Sequence, residues 1–153
     1  MDIKKDDKLL LLKINTPEGI DFINAHNSII KKHGFVWLCK FGKTNLLIDK
    51  LNSSKLKYIV LKDTMKNNNK VYIANYSLVT EDCPNANYPD YYSDIELNKK
   101  LWIKVTSIIP IKYDFLIDNF VTKSSSSNLE SVFKSMCSTF YIIPKRNIEI
   151  AED

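Results

Sequence analysis

One short stretch, Gly34–Lys43 (GFVWLCKFGK), constrains the fold and function of this chain more than any other. Gly34 favours the end of a helix because glycine tolerates left-handed backbone, and the apolar run after it is typical of a buried strand. The stretch ends with Lys40 and Lys43 on either side of Phe41. Aromatic surface beside positive charge is what a nucleobase site needs. A core strand that runs into an ordinary basic turn is the alternative, and the pattern leaves both open.

Length and composition indicate one soluble globular domain. The chain has 153 residues, of which 44% are hydrophobic and 26% charged, so a sizeable core is within reach. The longest apolar runs fall well short of the ~18 residues of a membrane span, and the first residues do not form a signal peptide. We therefore expect a cytoplasmic protein without a membrane partner. Cys39, Cys83 and Cys137 are widely spaced, which predicts reduced thiols rather than disulfides or a zinc site.

The charge is unevenly distributed along the chain. Net charge is +4, but residues 31–80 hold ten lysines against two aspartates, whereas residues 81–98 hold five acids and no base. A basic segment followed by an acidic loop can mark a side of the protein that faces phosphate. A solvated lysine-rich surface is the alternative interpretation.

Hydrophobic periodicity predicts an α+β fold, with a small curved mixed β-sheet or open barrel and peripheral helices. The predicted order is a helix at 17–33 capped by Thr16, a strand at 35–41, a helix at 45–53 capped by Thr44, an antiparallel hairpin of strands 57–62 and 71–79, a long loop at 81–98, a strand at 101–109, a helical turn at 114–121, a helix from the capping box Ser127–Glu130 to 135, and a strand at 139–143. Residues 9–12 read as a short edge strand or a helix. His26 and His33 lie near the apolar stripe of the first helix and are expected to be packing or capping residues.

The familiar catalytic motifs are absent from the sequence. It has no Gly-x-Ser-x-Gly elbow and no His-Glu-x-x-His, and its three glycines do not form a phosphate-binding loop. One weak set resembles a nuclease site and consists of Asp63, Glu81 or Asp82, and Lys57 or Lys62. We therefore expect a binding domain rather than an enzyme, with no metal and no cofactor.

Several strings, taken in order, resemble a known family. They are GFVWLCKF at 34–41, the hairpin YIVL and VYIA at 58–61 and 71–74, YPDYY at 88–92, LWIKV at 101–105, and the late serine-rich helix before FYI at 140–142. Together they resemble the EVE/YTH branch of PUA-like domains, most of all the EVE-like domains at the N-terminus of McrBC-type modification-dependent restriction proteins. The resemblance implies an EVE-like domain at 34–153, preceded by an N-terminal extension, 1–33, with an amphipathic helix.

The resemblance also implies a function. Such domains bind nucleic acid and take a modified base, flipped from the stack, into an aromatic cage, here as the DNA-recognition part of a restriction or defence system. The expected partners are nucleic acid, with modified DNA favoured, and a larger AAA+ or nuclease protein. By position, the implied residues are Trp37 and Trp102 in the cage with Tyr91 or Tyr92, Lys40 and Lys43 on flanking phosphates around Phe41, and Asn75 or Ser77 on a base edge.

The long loop supports a different hypothesis. Residues 84–94 carry three tyrosines and two prolines without helical or strand periodicity. A loop of this length in a small domain is often functional. The alternative is therefore a protein-interaction module of a phage or defence-system protein that docks a partner through this tyrosine loop.

Overall fold

The computed structural model describes residues 1–41, 47–64, 69–92, 100–134 and 139–151. Its strands are β1 (Asp2–Ile3), β2 (Leu9–Ile14), β3 (Val36–Phe41), β4 (Tyr58–Asp63), β5 (Val71–Thr80), β6 (Lys100–Ile111), β7 (Phe120–Thr122), β8 (Thr139–Pro144) and β9 (Ile148–Glu149). Its helices are α1 (Phe22–His33), α2 (Leu47–Ser53), α3 (Tyr113–Asn119) and α4 (Leu129–Val132). The fold is α+β, with an open, mixed β-sheet and a few helices, which confirms the predicted class at that level.

The chain forms two compact units. The first unit comprises Met1–Asn15, Tyr58–Ile73 and Ile109–Asp153, and the second unit comprises Thr16–Lys57 and Ala74–Ile108. The predicted division into 1–33 and 34–153 stays a prediction. None of the helices in the described ranges has the length and apolar character needed to cross a bilayer.

In the first unit, β2 is an inner strand of the sheet. It pairs in parallel with β4, where Leu11 lies opposite Val60, and antiparallel with β8, where Leu11 lies opposite Phe140. Beyond β8 comes β7, and the short strands β1 and β9 pair separately. The four consecutive leucines of β2, residues 9–12, are buried on both faces, as expected for a strand covered on both sides. The expected strand at residues 9–12 is therefore confirmed, whereas its edge position and the alternative of a helix were wrong.

In the second unit, β3 pairs antiparallel with β6, and β6 neighbours β5. The first residues of β5, Val71–Ile73, belong to the first unit, where they lie beside β4. The N–H of Asp63 donates to the Lys70 carbonyl and the N–H of Tyr76 donates to the Lys57 carbonyl, so the two strands run antiparallel and the predicted hairpin is confirmed. Helix α2 packs under this end of β5, because the Tyr76 hydroxyl donates to the Leu51 carbonyl at 2.9 Å.

The ends of helix α1 follow local capping chemistry. Gly34 ends it in the left-handed conformation with φ 85°, and its N–H donates to the Ile30 carbonyl at 2.7 Å, as predicted. The predicted start at Thr16 and residue 17 was wrong. The chain first turns at Gly19, with φ 83°, and Asp21 then caps the helix by accepting from the Asn24 N–H.

The later helices are shorter than predicted. Asn128, not Ser127, caps α4 by accepting from the Glu130 N–H at 2.8 Å, and the helix ends at Val132 rather than at 135. Helix α3 ends at Asn119 because Phe120 is extended and enters β7. The predicted cap of α2, Thr44, lies outside the described residues.

Candidate nucleic-acid interface

The pairing of β3 with β6 decides which predicted site residues share a face of the sheet. Trp37 lies opposite Lys104, and Cys39 lies opposite Trp102. Residues directly opposite each other project to the same face, and side chains alternate along a strand. Trp37 and Trp102 therefore lie on one face. Lys40 projects to the other face, where its side chain is buried.

Six side chains of the second unit form what we call the aromatic cluster: Trp37, Cys39, Tyr88, Tyr91, Tyr92 and Trp102. Trp102 and Tyr92 form its floor and are only 2% and 4% exposed. The Tyr92 ring meets the Trp102 ring edge-on, with centroids 5.9 Å apart, and Tyr88 tilts onto Trp102 at 5.5 Å. Trp37, Tyr88 and Tyr91 are half-buried and form the rim. The structure thus brings together four residues that the resemblance implied, with Tyr88 in addition.

The tyrosine loop is fixed to β3 by its backbone. The Trp37 N–H donates to the Asn87 carbonyl at 2.8 Å, and Asn87 itself is left-handed, with φ 67°. Asparagine tolerates that conformation better than most residues. Asp90–Tyr92 then form a single 3₁₀ turn, with the Tyr92 N–H on the Pro89 carbonyl at 3.0 Å. This turn directs Tyr92 inward and leaves Tyr91 half-exposed.

His26 connects helix α1 to the floor of the cluster. Its Nδ1 lies 2.8 Å from the Phe22 carbonyl, and its Nε2 lies 2.7 Å from the Tyr92 hydroxyl. Because a carbonyl only accepts, Nδ1 carries the proton and the neutral ring accepts from Tyr92 through Nε2. Burial lowers the pKa of His26 from 6.5 to about 4, opposed only in part by the hydrogen bond to Phe22. Its expected role as a packed histidine is confirmed.

The charge state of Tyr92 fits this arrangement. Burial raises the pKa of the Tyr92 hydroxyl well above its usual value, and the neighbouring Tyr91 raises it further. The phenol therefore stays protonated and can donate to His26 across the ordinary pH range. The other histidine, His33, is exposed at the end of α1.

A cationic edge adjoins the rim of the cluster. The Lys104 ammonium lies 4.3 Å from the centroid of the Phe35 ring, and the Phe35 and Trp37 rings meet edge-to-face at 6.4 Å. All three side chains are half-buried. Sequence reasoning did not assign Phe35, Tyr88, Lys104 or His26 to the site. Only the register of β3 and β6 shows that Lys104 lies opposite Trp37, so the sequence carried no signal for it. Tyr88 could have been found, because it lies in the tyrosine loop that the sequence already indicated as functional.

The remaining predicted site residues are not members of the aromatic cluster, or they lie outside the residues that the structure describes. Asn75 is half-buried in β5, and its carbonyl accepts from the Thr106 hydroxyl at 3.3 Å, whereas Ser77 is exposed. The backbone of Phe41 lies in β3, but its side chain and the whole of Lys43 are outside the described residues.

The nuclease-like set gains no geometric support. Among the described residues, no three His, Cys, Asp or Glu side chains converge as a metal site would require. In the first unit, Lys62 donates to the Asp63 carbonyl, and its ammonium lies 5.8 Å from the ring centroids of both Tyr113 and Phe133. Burial lowers the pKa of Lys62, with the Asp63 carboxylate opposing this shift and Lys13 adding to it. In the second unit, Lys57 donates to the carbonyls of α2.

Comparison of the chain with protein-family models, with curated proteins and with solved structures gave no match. The resemblance to EVE-like domains therefore stays a prediction.

Proposed function

We propose that this chain is a nucleic-acid-binding domain that holds an unstacked, modified base against the aromatic cluster. The proposal includes the EVE-like assignment of the fold and a role as the DNA-recognition part of a restriction or defence system, in the cytoplasm and with a larger AAA+ or nuclease partner. The observation that carries the binding function is the convergence of Trp37, Tyr88 and Tyr91 as half-exposed rings over a buried floor. The restriction context rests on the sequence resemblance alone.

The rim offers the type of surface on which a base stacks. Stacking on an aromatic side chain contributes ~1–3 kcal/mol per base, and flipping a base from a duplex costs a few kcal/mol. One ring therefore roughly offsets flipping, and a second ring makes it favourable. A methyl group on the base adds about 0.8 kcal/mol when it is buried against the rings. These magnitudes favour a methylated base over its unmodified counterpart.

The charges beside the cluster favour one side for the phosphate backbone of a bound strand. Asp90 is an exposed acid of the tyrosine loop beside Tyr91, whereas Lys104 lies on the β6 side of Trp37. Phosphates are repelled by the Asp90 carboxylate and attracted by the Lys104 ammonium. On this proposal the backbone of the strand passes along the Lys104 side, and the base reaches the rings from there.

Fluorescence titration tests the proposal directly. Labelled single strands and duplexes with one unmodified, methyladenine or methylcytosine base are titrated at about 50 and 200 mM salt, a range over which phosphate contacts weaken strongly. We expect one modified base to bind best. Trp37→Ala should weaken it about 5- to 150-fold, the equivalent of one lost stack, while Trp37→Phe retains most affinity.

Circular dichroism and thermal unfolding of both Trp37 variants separate loss of binding from loss of fold. If the wild-type chain binds none of these probes at the lower salt concentration, the proposal is overturned. If the affinity is the same for modified and unmodified probes and is unchanged in Trp37→Ala, the base-reading role is rejected and only general affinity for nucleic acid remains.

A further inference from the structure

Phe35 and Lys104 form a feature that base stacking at the cluster does not require. Lys104 lies on β6 opposite Trp37, and its ammonium sits 4.3 Å from the centroid of the Phe35 ring. The Phe35 ring stands at 89° to the Trp37 ring, with centroids 6.4 Å apart. A cation is thereby held beside the most accessible tryptophan of the second unit, within a contiguous group of three half-buried side chains.

The ring restricts where the ammonium can be. A free lysine side chain loses rotamer entropy when a ligand fixes it. The attraction between the ammonium and the face of the Phe35 ring already favours one arrangement of the lysine side chain. Part of the ordering cost is therefore met before a ligand arrives. The ring face attracts the cation as a whole, so N–H donors of Lys104 remain able to donate to the oxygens of an anion.

We infer that Phe35 and Lys104 form a phosphate subsite beside Trp37, so that the ligand of this face is a nucleotide within a strand rather than a free base or nucleoside. The inference rests on the proposed function, because the stacked base on Trp37 places the phosphate. Lys104 contacts the phosphate directly. Phe35 acts through Lys104 and is a positioning residue.

Neighbouring strands of a sheet lie about 4.8 Å apart, so the side chains of Trp37 and Lys104 emerge one strand spacing from each other. A ligand of nucleotide size spans that distance, with its base on one side chain and its phosphate at the other. A nucleoside reaches the ring but offers the lysine no charge. The second contact is therefore available only to a ligand that carries phosphate.

The test compares ligands with and without phosphate on the same variants. The probes are a short single-stranded oligodeoxynucleotide with one central methylated base and the matching nucleoside, each followed by quenching of tryptophan fluorescence. Trp37 and Trp102 are the two tryptophans of the chain, and only Trp37 is accessible to a quencher. Lys55→Gln is the matched control, since Lys55 is an exposed lysine of the same unit.

We expect Lys104→Gln to lower the slope of log K against log salt for the oligonucleotide by about 0.7, the contribution of one phosphate contact on a single strand. Nucleoside affinity should not change, and Lys55→Gln should leave both quantities unchanged. Phe35→Leu should weaken only the oligonucleotide, and Phe35→Tyr, which keeps the ring, should restore it.

The two proposals fail in different ways. If the wild-type chain binds no oligonucleotide, the proposed function fails and the phosphate subsite with it. If the oligonucleotide binds and depends on Trp37, but Lys104→Gln and Lys55→Gln give the same salt slope, the phosphate subsite is rejected and the proposed function stands.

Discussion

His26 gives the clearest quantitative prediction, because its burial makes the stability of the fold depend on pH. The side chain is 0% exposed, and both ring nitrogens are hydrogen-bonded in the neutral form. In the unfolded chain the ring titrates near 6.5, whereas in the folded chain its pKa is about 4. Between these values the unfolded state binds a proton that the folded state does not. Stability therefore rises with pH in this window, and it is lost as the pH falls from 6.5 towards 4.

The size of the effect follows from the difference between the two pKa values. Each pH unit of difference corresponds to ~1.4 kcal/mol, so the full loss is about 3 kcal/mol. About 2 kcal/mol of this is lost between pH 7 and pH 5, where most carboxylates still stay ionised. That amount is a large fraction of the 5–15 kcal/mol stability that is usual for a domain.

Urea unfolding at pH 7, 6 and 5 measures the loss in the wild-type chain and in His26→Gln. We expect the wild type to lose about 2 kcal/mol more than His26→Gln between pH 7 and pH 5, although the variant starts from a lower stability at pH 7. His33→Gln is the matched control, because His33 is exposed and should retain the full wild-type pH dependence. Equal pH slopes for the wild type and His26→Gln would refute the reasoning.

Two further substitutions test the contacts that hold the second unit together. Tyr92→Phe leaves the buried Nε2 of His26 without its donor and should cost about 1–3 kcal/mol in urea unfolding, whereas Tyr88→Phe, which keeps a half-buried ring, should cost under about 0.5 kcal/mol. Equal costs would contradict the assigned hydrogen bond. Asp21→Ala removes the cap of α1 and should lower the free energy of unfolding by about 0.5–2 kcal/mol, while Asp21→Asn should keep most of it. If Asp21→Ala leaves the free energy of unfolding unchanged, the cap does not contribute to stability.

Local patterns predicted most of the secondary structure but not the partners of the strands. Strand β3 and the end of α1 at Gly34 were predictable, because an apolar run and a left-handed glycine are local signals. The inner position of β2 was not, since its pairing with β4 and β8 depends on residues about 50 and 130 positions away in the sequence. The predicted start of α1 was wrong because Gly19 allows a turn before the helix, which the Thr16–Pro17 pattern does not indicate.

The candidate site shows the same division between local and distant information. Trp37 and Trp102 share a face of the sheet because β3 and β6 pair, and the sequence predicted their association only through a family resemblance. The face to which Lys40 projects could be predicted from the alternation of side chains along a strand. Lys40 is three residues from Trp37, so the two side chains must lie on opposite faces. The position of Lys104 could not be predicted in this way, because only the pairing register of β3 and β6 places it opposite Trp37.

Stability and binding are divided between different rings of the aromatic cluster. Trp102 and Tyr92 are almost fully buried, and Tyr92 is fixed by His26 and by the turn at Pro89, so their loss removes core packing. Trp37 keeps exposed ring surface, although its N–H anchors the loop through the backbone. Substituting its side chain leaves that backbone bond in place. A defect in binding without a defect in folding is therefore expected at Trp37 and Lys104, and not at the floor of the cluster.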